Sequence, residues 1–183
     1  MPDHQYLKTV TLGAPEAPQG AIQLADYDPA WPTQFATERG RIARALAGQH
    51  ITIEHVGSTS VPGLCAKPIL DILLLVDDAA CESAYLPALE AAGYSLRVRE
   101  PDWYAHRMCR GQSPRVNLHI FSHGCEEAAR MCAFRDHLRR HPADRDRYAA
   151  EKRRLAALPW TYIQDYADAK SAIVQEILAH LDT

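Results

Sequence analysis

The stretch 54–76 reads EHVGSTSVPGLCAKPILDILLLV, and the rest of the chain is organised around it. Gly57-Ser58 stands at the end of an apolar strand pattern, where glycine permits close backbone approach and a serine hydroxyl can hydrogen-bond an anion. A polar turn with Pro62 and Gly63 follows, then Lys67-Pro68. Residues 69–76, ILDILLLV, read as a buried strand: the run is short and apolar, with β-branched residues among its members. One carboxylate, Asp71, interrupts it. An ionised carboxylate in apolar surroundings is costly unless it is paired or bound to a metal, so Asp71 demands a partner.

HVGSTSVPGL followed by KPILDI resembles the GrpB family, a branch of the nucleotidyltransferase-like fold. Further matches follow in order: Tyr27-Asp28-Pro29-Ala30-Trp31, Asn117-Leu118-His119, FRDHLRRHP from Phe134, Tyr148-x-x-x-Lys152 and Tyr166-x-x-x-Lys170-Ser171. The resemblance implies an α+β fold, a nucleotidyltransferase-like mixed β-sheet with C-terminal helices. It also implies that Gly57 and Ser58 hold nucleotide phosphates, and that Asp71 holds a divalent metal, Mg²⁺ or Mn²⁺, with a nucleoside triphosphate as substrate. The superfamily usually carries a second acid two positions further along. Here that position is Leu73, which weakens two-metal transfer, because such chemistry clamps charge on both the entering and the leaving oxygens.

At 183 residues the chain suits one domain with ample core. Its formal charge is 20 − 23 = −3, so no global basic field argues for nucleic acid. The cysteines number five and form no C-x-x-C pair, which points to reduced thiols in a cytoplasmic protein. No signal-like start and no membrane-length apolar run is visible, so no membrane partner is expected.

Residues 1–20, with three Pro and two Gly, predict an extended or disordered arm. Residues 21–183 form the single domain. Its sheet core spans 51–121, with strands at 51–57, 69–76, 94–99, 103–110 and 115–121. Helices are expected at 29–47 and 79–92 on one face, with Pro87 a complication in the second. A helical part spans 126–181, in segments 126–140, 144–157 and 162–181, and this run of helices after strands argues α+β. In the hairpin, a two-residue turn at Gln112-Ser113 puts His106 opposite His119; a different turn shifts that register.

Asp71 and His119 are the candidate catalytic residues. The resemblance places His119 where a third acid often stands, and an imidazole there serves as base or transition-metal ligand. Asp71, His119 and His106 form the expected metal set. Gly57, Ser58, Lys67, Arg135, Lys152 and Lys170 are the expected phosphate-binding set; Arg135 lies in the FRD element and the late lysines in the Tyr-x-x-x-Lys elements.

Two functions follow. In one, the chain binds a nucleotide or another phosphorylated small molecule and transfers a nucleotidyl or phosphoryl group with a divalent metal. In the other, it is a non-catalytic accessory module, because similar domains occur fused to dephospho-coenzyme A kinase. The absence of G-x-x-x-x-G-K-[S/T] excludes this chain from being that kinase.

Overall fold

The computed structural model describes residues 3–179. Strand β1 is Thr52–Val56, β2 Leu70–Val76, β3 Ser95–Glu100, β4 His106–Gln112 and β5 Arg115–Ser122. They form one mixed sheet in the order β1-β2-β5-β4-β3, in which only the β2–β5 pair is parallel. β2 is therefore interior. Ile72 and Leu74 point to one face and Leu73 to the other, all at 1% exposure or less, which is why the apolar run is continuous. Each such side chain contributes roughly 2 kcal/mol by leaving water.

The Ile72 face packs against helix α2, Trp31–Ala45, and helix α3, Leu86–Ala91, through Trp31, Ile42, Leu46, Tyr85 and Leu89. The Leu73 face, with Val56 and Phe121, meets Ala128, Met131 and Cys132 of helix α4, Glu126–Arg140. Helices α5, Pro142–Ala156, α6, Ile163–Ala169, and α7, Ser171–Leu178, complete the cover. The expected third helical segment thus divides at Lys170; positions 180 and 181 of that segment lie outside the described residues.

Four expectations change. The expected arm contains a helix, α1, His4–Val10. Asp3 caps it by accepting from the N–H groups of Gln5 and Tyr6, and Val10 is buried. Tertiary contacts order so short a helix: the Tyr6 hydroxyl donates to Glu100 and Leu12 N–H to the Arg97 carbonyl. The helix expected at 79–92 is a 3₁₀ turn, Glu82–Ala84, followed by α3. Pro87, which lacks an N–H, is tolerated in the first turn of α3 but not inside a longer helix. Residues 103–105 are turn rather than strand. Finally, Gln112 pairs with Arg115, so the hairpin turns at Ser113-Pro114, and Met108 rather than His106 faces His119. The shift preserves strand parity, so His106 and His119 still share a face.

All five cysteines are free thiols. Among the described residues no helix is long and apolar enough to cross a membrane.

Candidate functional site

The site begins where β1 ends. Gly57 has φ +66° and ψ −171°, a region that side chains other than glycine's rarely enter. A Cβ at this position would lie 2.4 Å from Oδ2 of Asp71. The turn therefore passes directly over the carboxylate, and only glycine fits. A 3₁₀ turn, Ser58–Ser60, follows and presents Ser58 to the same cleft.

Asp71 pairs in register with Asn117 on β5, and its Oδ1 accepts from the Asn117 amide at 3.0 Å. Its side chain keeps 30% exposure, so solvent reaches the cleft. Burial works to raise its carboxyl, but His119, the Asn117 amide and the Lys67 charge overcome that and hold it below the usual value.

Three lysines converge from the opposite wall. Lys152, at 2% exposure, donates to Ser58 Oγ at 2.8 Å and to the Cys65 carbonyl. Burial and then the neighbouring Lys170 push its ammonium down to about 7. Lys170 stands over the Tyr166 ring at 4.7 Å, and Lys67 over the same ring at 5.5 Å. Burial followed by the Lys67 charge lowers Lys170 to about 8, and burial lowers Lys67 as well. Among the described residues neither the Lys67 nor the Lys170 ammonium has a hydrogen bond or ion pair. Asp71 acts on both ammonium groups, Glu16 on Lys67 and Asp168 on Lys170, but none of these acids makes an ion pair with either lysine.

Behind Asp71 runs a polar chain. His119 Nε2 lies 3.7 Å from Asp71 Oδ1, and His119 Nδ1 lies 3.2 Å from His106 Nε2. His106 Nδ1 meets Glu100 Oε2 at 2.7 Å, and the Tyr6 hydroxyl donates to Glu100 Oε1 at 3.0 Å. Burial would raise the Glu100 carboxyl, but contact with His106 lowers it. An ionised Glu100 accepts from His106 Nδ1–H. For neutral rings, His106 Nε2 then accepts from His119 Nδ1–H and leaves His119 Nε2 bare towards the cleft. It is a proton taken up on that nitrogen that lets His119 donate to Asp71 and hold its carboxyl low.

Gly57, Ser58, Lys67, Asp71, His119, Lys152 and Lys170 thus come together as expected from the sequence. Two further expected residues are engaged elsewhere with their polar atoms. Arg135 is taken up by Glu54 at 2.7 Å, by Asp136 at 2.8 Å and by the His55 carbonyl at 2.9 Å, which spends its guanidinium on fixing α4 to β1. His106 has both ring nitrogens engaged, one by Glu100 and one by His119, so in this arrangement neither is free for a metal. Sequence reasoning missed Tyr6 and Glu100, because α1 was not foreseen and β3 carried no motif. His50, Asp77 and His123 are the group of three possible metal ligands among the described residues, at an exposed end of the sheet.

The family resemblance implies a divalent ion at Asp71. The local donors are one carboxylate and one imidazole nitrogen. Leu73 is buried, Glu54 opposite it is paired with Arg135, and three lysines stand nearby. This set does not fit a two-metal centre.

A mixed sheet with a Gly-Ser turn after β1, an acid on β2 facing that turn and helices closing the same face defines a nucleotidyltransferase-like α+β protein. Structural comparison agrees at the level of the fold. The Cid1 poly(U) polymerase superposes with a TM-score of 0.51 at 10% identity, over 70% of this chain and 42% of that one. The chain belongs to the GrpB family, whose profile, described as GrpB protein, matches residues 21–180. The conserved protein GrpB from Enterococcus faecalis superposes with a TM-score of 0.68 at 30% identity, over 84% of this chain and 98% of that one. A UPF0157 protein of Halalkalibacterium halodurans is 54% identical over 174 residues, 95% of this chain and 89% of the relative. A dephospho-CoA kinase of Mycolicibacterium paratuberculosis is 31% identical over 86 residues, 45% of this chain and 21% of the kinase.

Proposed function

We propose that the chain binds a phosphorylated small molecule, a nucleotide being the leading candidate, with the phosphate among Ser58, Lys67, Lys152 and Lys170. The observation that carries this reading is the clustering of three lysines, Lys152 on Ser58 and Lys67 and Lys170 over the Tyr166 ring, the last two with no ion pair among the described residues. Half-buried ammonium groups without an ion pair are costly, and a phosphate supplies a direct counter-charge. Asp71 would then orient the ligand and sit beside His119 Nε2, the nitrogen that takes a proton from an attacking hydroxyl.

Transfer of a phosphoryl or nucleotidyl group is the finer form of this proposal; binding without transfer is the other. Buried Leu73 in place of a second acid favours binding alone. The stretch resembling dephospho-CoA kinase supports including coenzyme A and dephospho-coenzyme A among the ligands tried. The test is a melting-temperature screen of tripolyphosphate, nucleotides and these coenzymes, each with and without Mg²⁺ or Mn²⁺. Binding raises the melting temperature by mass action. A rise with the anion alone supports the lysine clamp, and a further rise with metal supports an ion at Asp71. No rise with any ligand contradicts the proposal.

A further inference from the structure

Beyond His119 lies a cavity of about 580 Å³, enclosed by α1, the β3–β5 side of the sheet, α4 and α6. Tyr6, Glu100, Trp103, His106, His119 and Phe121 are among its walls. Three features separate it from an ordinary packing gap.

The first is exposure. Trp103 at 38% and Tyr6 at 43% are large aromatic side chains left in water at this cavity, where a plain core would have covered them. The second is backbone conformation. Tyr104 and Ala105, both non-glycine, have φ of 52° and 49°, so the turn between β3 and β4 holds two consecutive residues in the left-handed region. Such conformations persist only where their surroundings enforce them, and they cluster at ligand clamps. This turn sets Trp103 edge-on to His106 at 5.2 Å and to Phe121 at 5.8 Å. His106 in turn stacks on Phe121 at 4.7 Å. The third is polarity. Glu100 and Asp168 both line the cavity, and their carboxylate oxygens keep acceptor capacity beyond their present contacts.

The cavity also adjoins the lysine cleft. His119 is in its wall and lies 3.7 Å from Asp71. A smaller cavity of about 190 Å³, lined by Lys170 and Tyr148, shares Arg130 and Ala167 with it.

We infer that this cavity binds a planar heteroaromatic ring bearing an amino group, beside the phosphate cleft. Trp103 and Tyr6 supply apolar ring contact, and Glu100 and Asp168 accept from the amino group. Helix α1, which lies outside the stretch matched by the family profile, builds one wall. The inference deepens the phosphate reading, yet the two fail separately.

The experiment titrates the full chain with the four common ribonucleosides, their triphosphates and tripolyphosphate as a ringless control. Tryptophan fluorescence and calorimetry read binding to wild type, Trp103→Leu and Tyr6→Leu, with circular dichroism confirming that each variant folds. At least one nucleoside or triphosphate is expected to quench wild-type fluorescence saturably. If the ring belongs to the phosphorylated ligand, a triphosphate binds at least about tenfold more tightly than tripolyphosphate, a gain of about 1.4 kcal/mol. Both variants then lose that gain while binding tripolyphosphate as wild type does. If the ring arrives on a separate molecule, nucleoside and tripolyphosphate bind together and the triphosphate gains nothing. The inference is overturned if no nucleoside or triphosphate is sensed and none outbinds tripolyphosphate, or if the gain survives in both variants. Should Trp103→Leu fail to fold, Tyr6→Leu, on an exposed helix face, decides alone. Loss of tripolyphosphate binding removes only the phosphate reading, because the nucleoside titrations report on the ring site by themselves.

Discussion

Gly57 and Asp71 are in such close contact that a methyl group on the first would collide with the carboxylate of the second, at 2.4 Å from Oδ2. The strand-end turn and the strand acid are one unit. Moving either moves both.

Gly57→Ala therefore has two costs, an unfavourable backbone conformation at φ +66° and displacement of the turn from Asp71. Denaturant unfolding should show a loss of about 2 kcal/mol from the backbone alone, with the clash adding to it. Phosphate affinity should fall as Ser58 moves. Wild-type stability in Gly57→Ala would contradict the geometry.

Asp71 contributes charge that the fold uses. Its folded carboxyl lies below the unfolded value of 3.8, so its stabilisation is present at pH above that value and is lost as pH falls through the folded value. Asp71→Asn should cost about 1 kcal/mol at pH 7, the scale of one partly solvated charge-assisted contact. The difference from wild type should shrink in acid below about pH 4. A variant as stable as wild type at pH 7 would show that Asp71 is uncompensated by its neighbours.

Lys152 has the opposite effect. Its ammonium has an ordinary value of 10.5 and is near 7 in the fold, so between these the unfolded chain binds a proton that the fold does not. Stability thus rises with pH across that window, and the penalty is full below it. Lys152→Met removes the penalty and also two hydrogen bonds. Its melting temperature relative to wild type should be highest near pH 6 and decline steadily towards pH 9. A difference that stays flat or grows with pH contradicts a buried, depressed lysine.

The imidazole chain predicts tautomers. Nitrogen-15 shifts at pH 8 should show Nδ1–H on both His106 and His119, and Glu100→Gln should disturb both rings although it lies one residue away from His119 in the chain of contacts. Nε2–H on His119 in the wild type would contradict the assigned network.

How far all this could be read in the sequence differs by element. Alternation and the apolar run gave β2 and β5, because interior strands are written in side-chain type alone, and Asp71 stood out because an acid in such a run is rare. Lys67, Lys152 and Lys170 were found by motif match, while their clustering around Ser58 and Tyr166 is a tertiary fact with no local signal. Helix α1 was missed because its own order comes from Asp3, Tyr6 and Val10 meeting distant partners, amid a segment whose Pro and Gly content argues for a loop. Arg135 was misplaced for a related reason: an arginine in a family motif reads the same whether it grips phosphate or, as here, Glu54 and Asp136. The aromatic cavity was invisible, since it depends on the unusual backbone at Tyr104 and Ala105 and on a hairpin register set by Ser113-Pro114.

The central claim is that the lysine cleft is built for phosphate, and calorimetric titration with tripolyphosphate at pH 8, in two buffers of different ionisation enthalpy, tests it most directly. Lys152 and Lys170 lie at about 7 and about 8 in the free protein, so an anion between them must draw protons on binding. The account predicts binding with net proton uptake by the wild type, and an affinity roughly thirtyfold weaker with diminished uptake in Lys152→Met, the loss of one charge-assisted contact of about 2 kcal/mol. No binding by the wild type, or equal affinity and equal uptake in Lys152→Met, would contradict it.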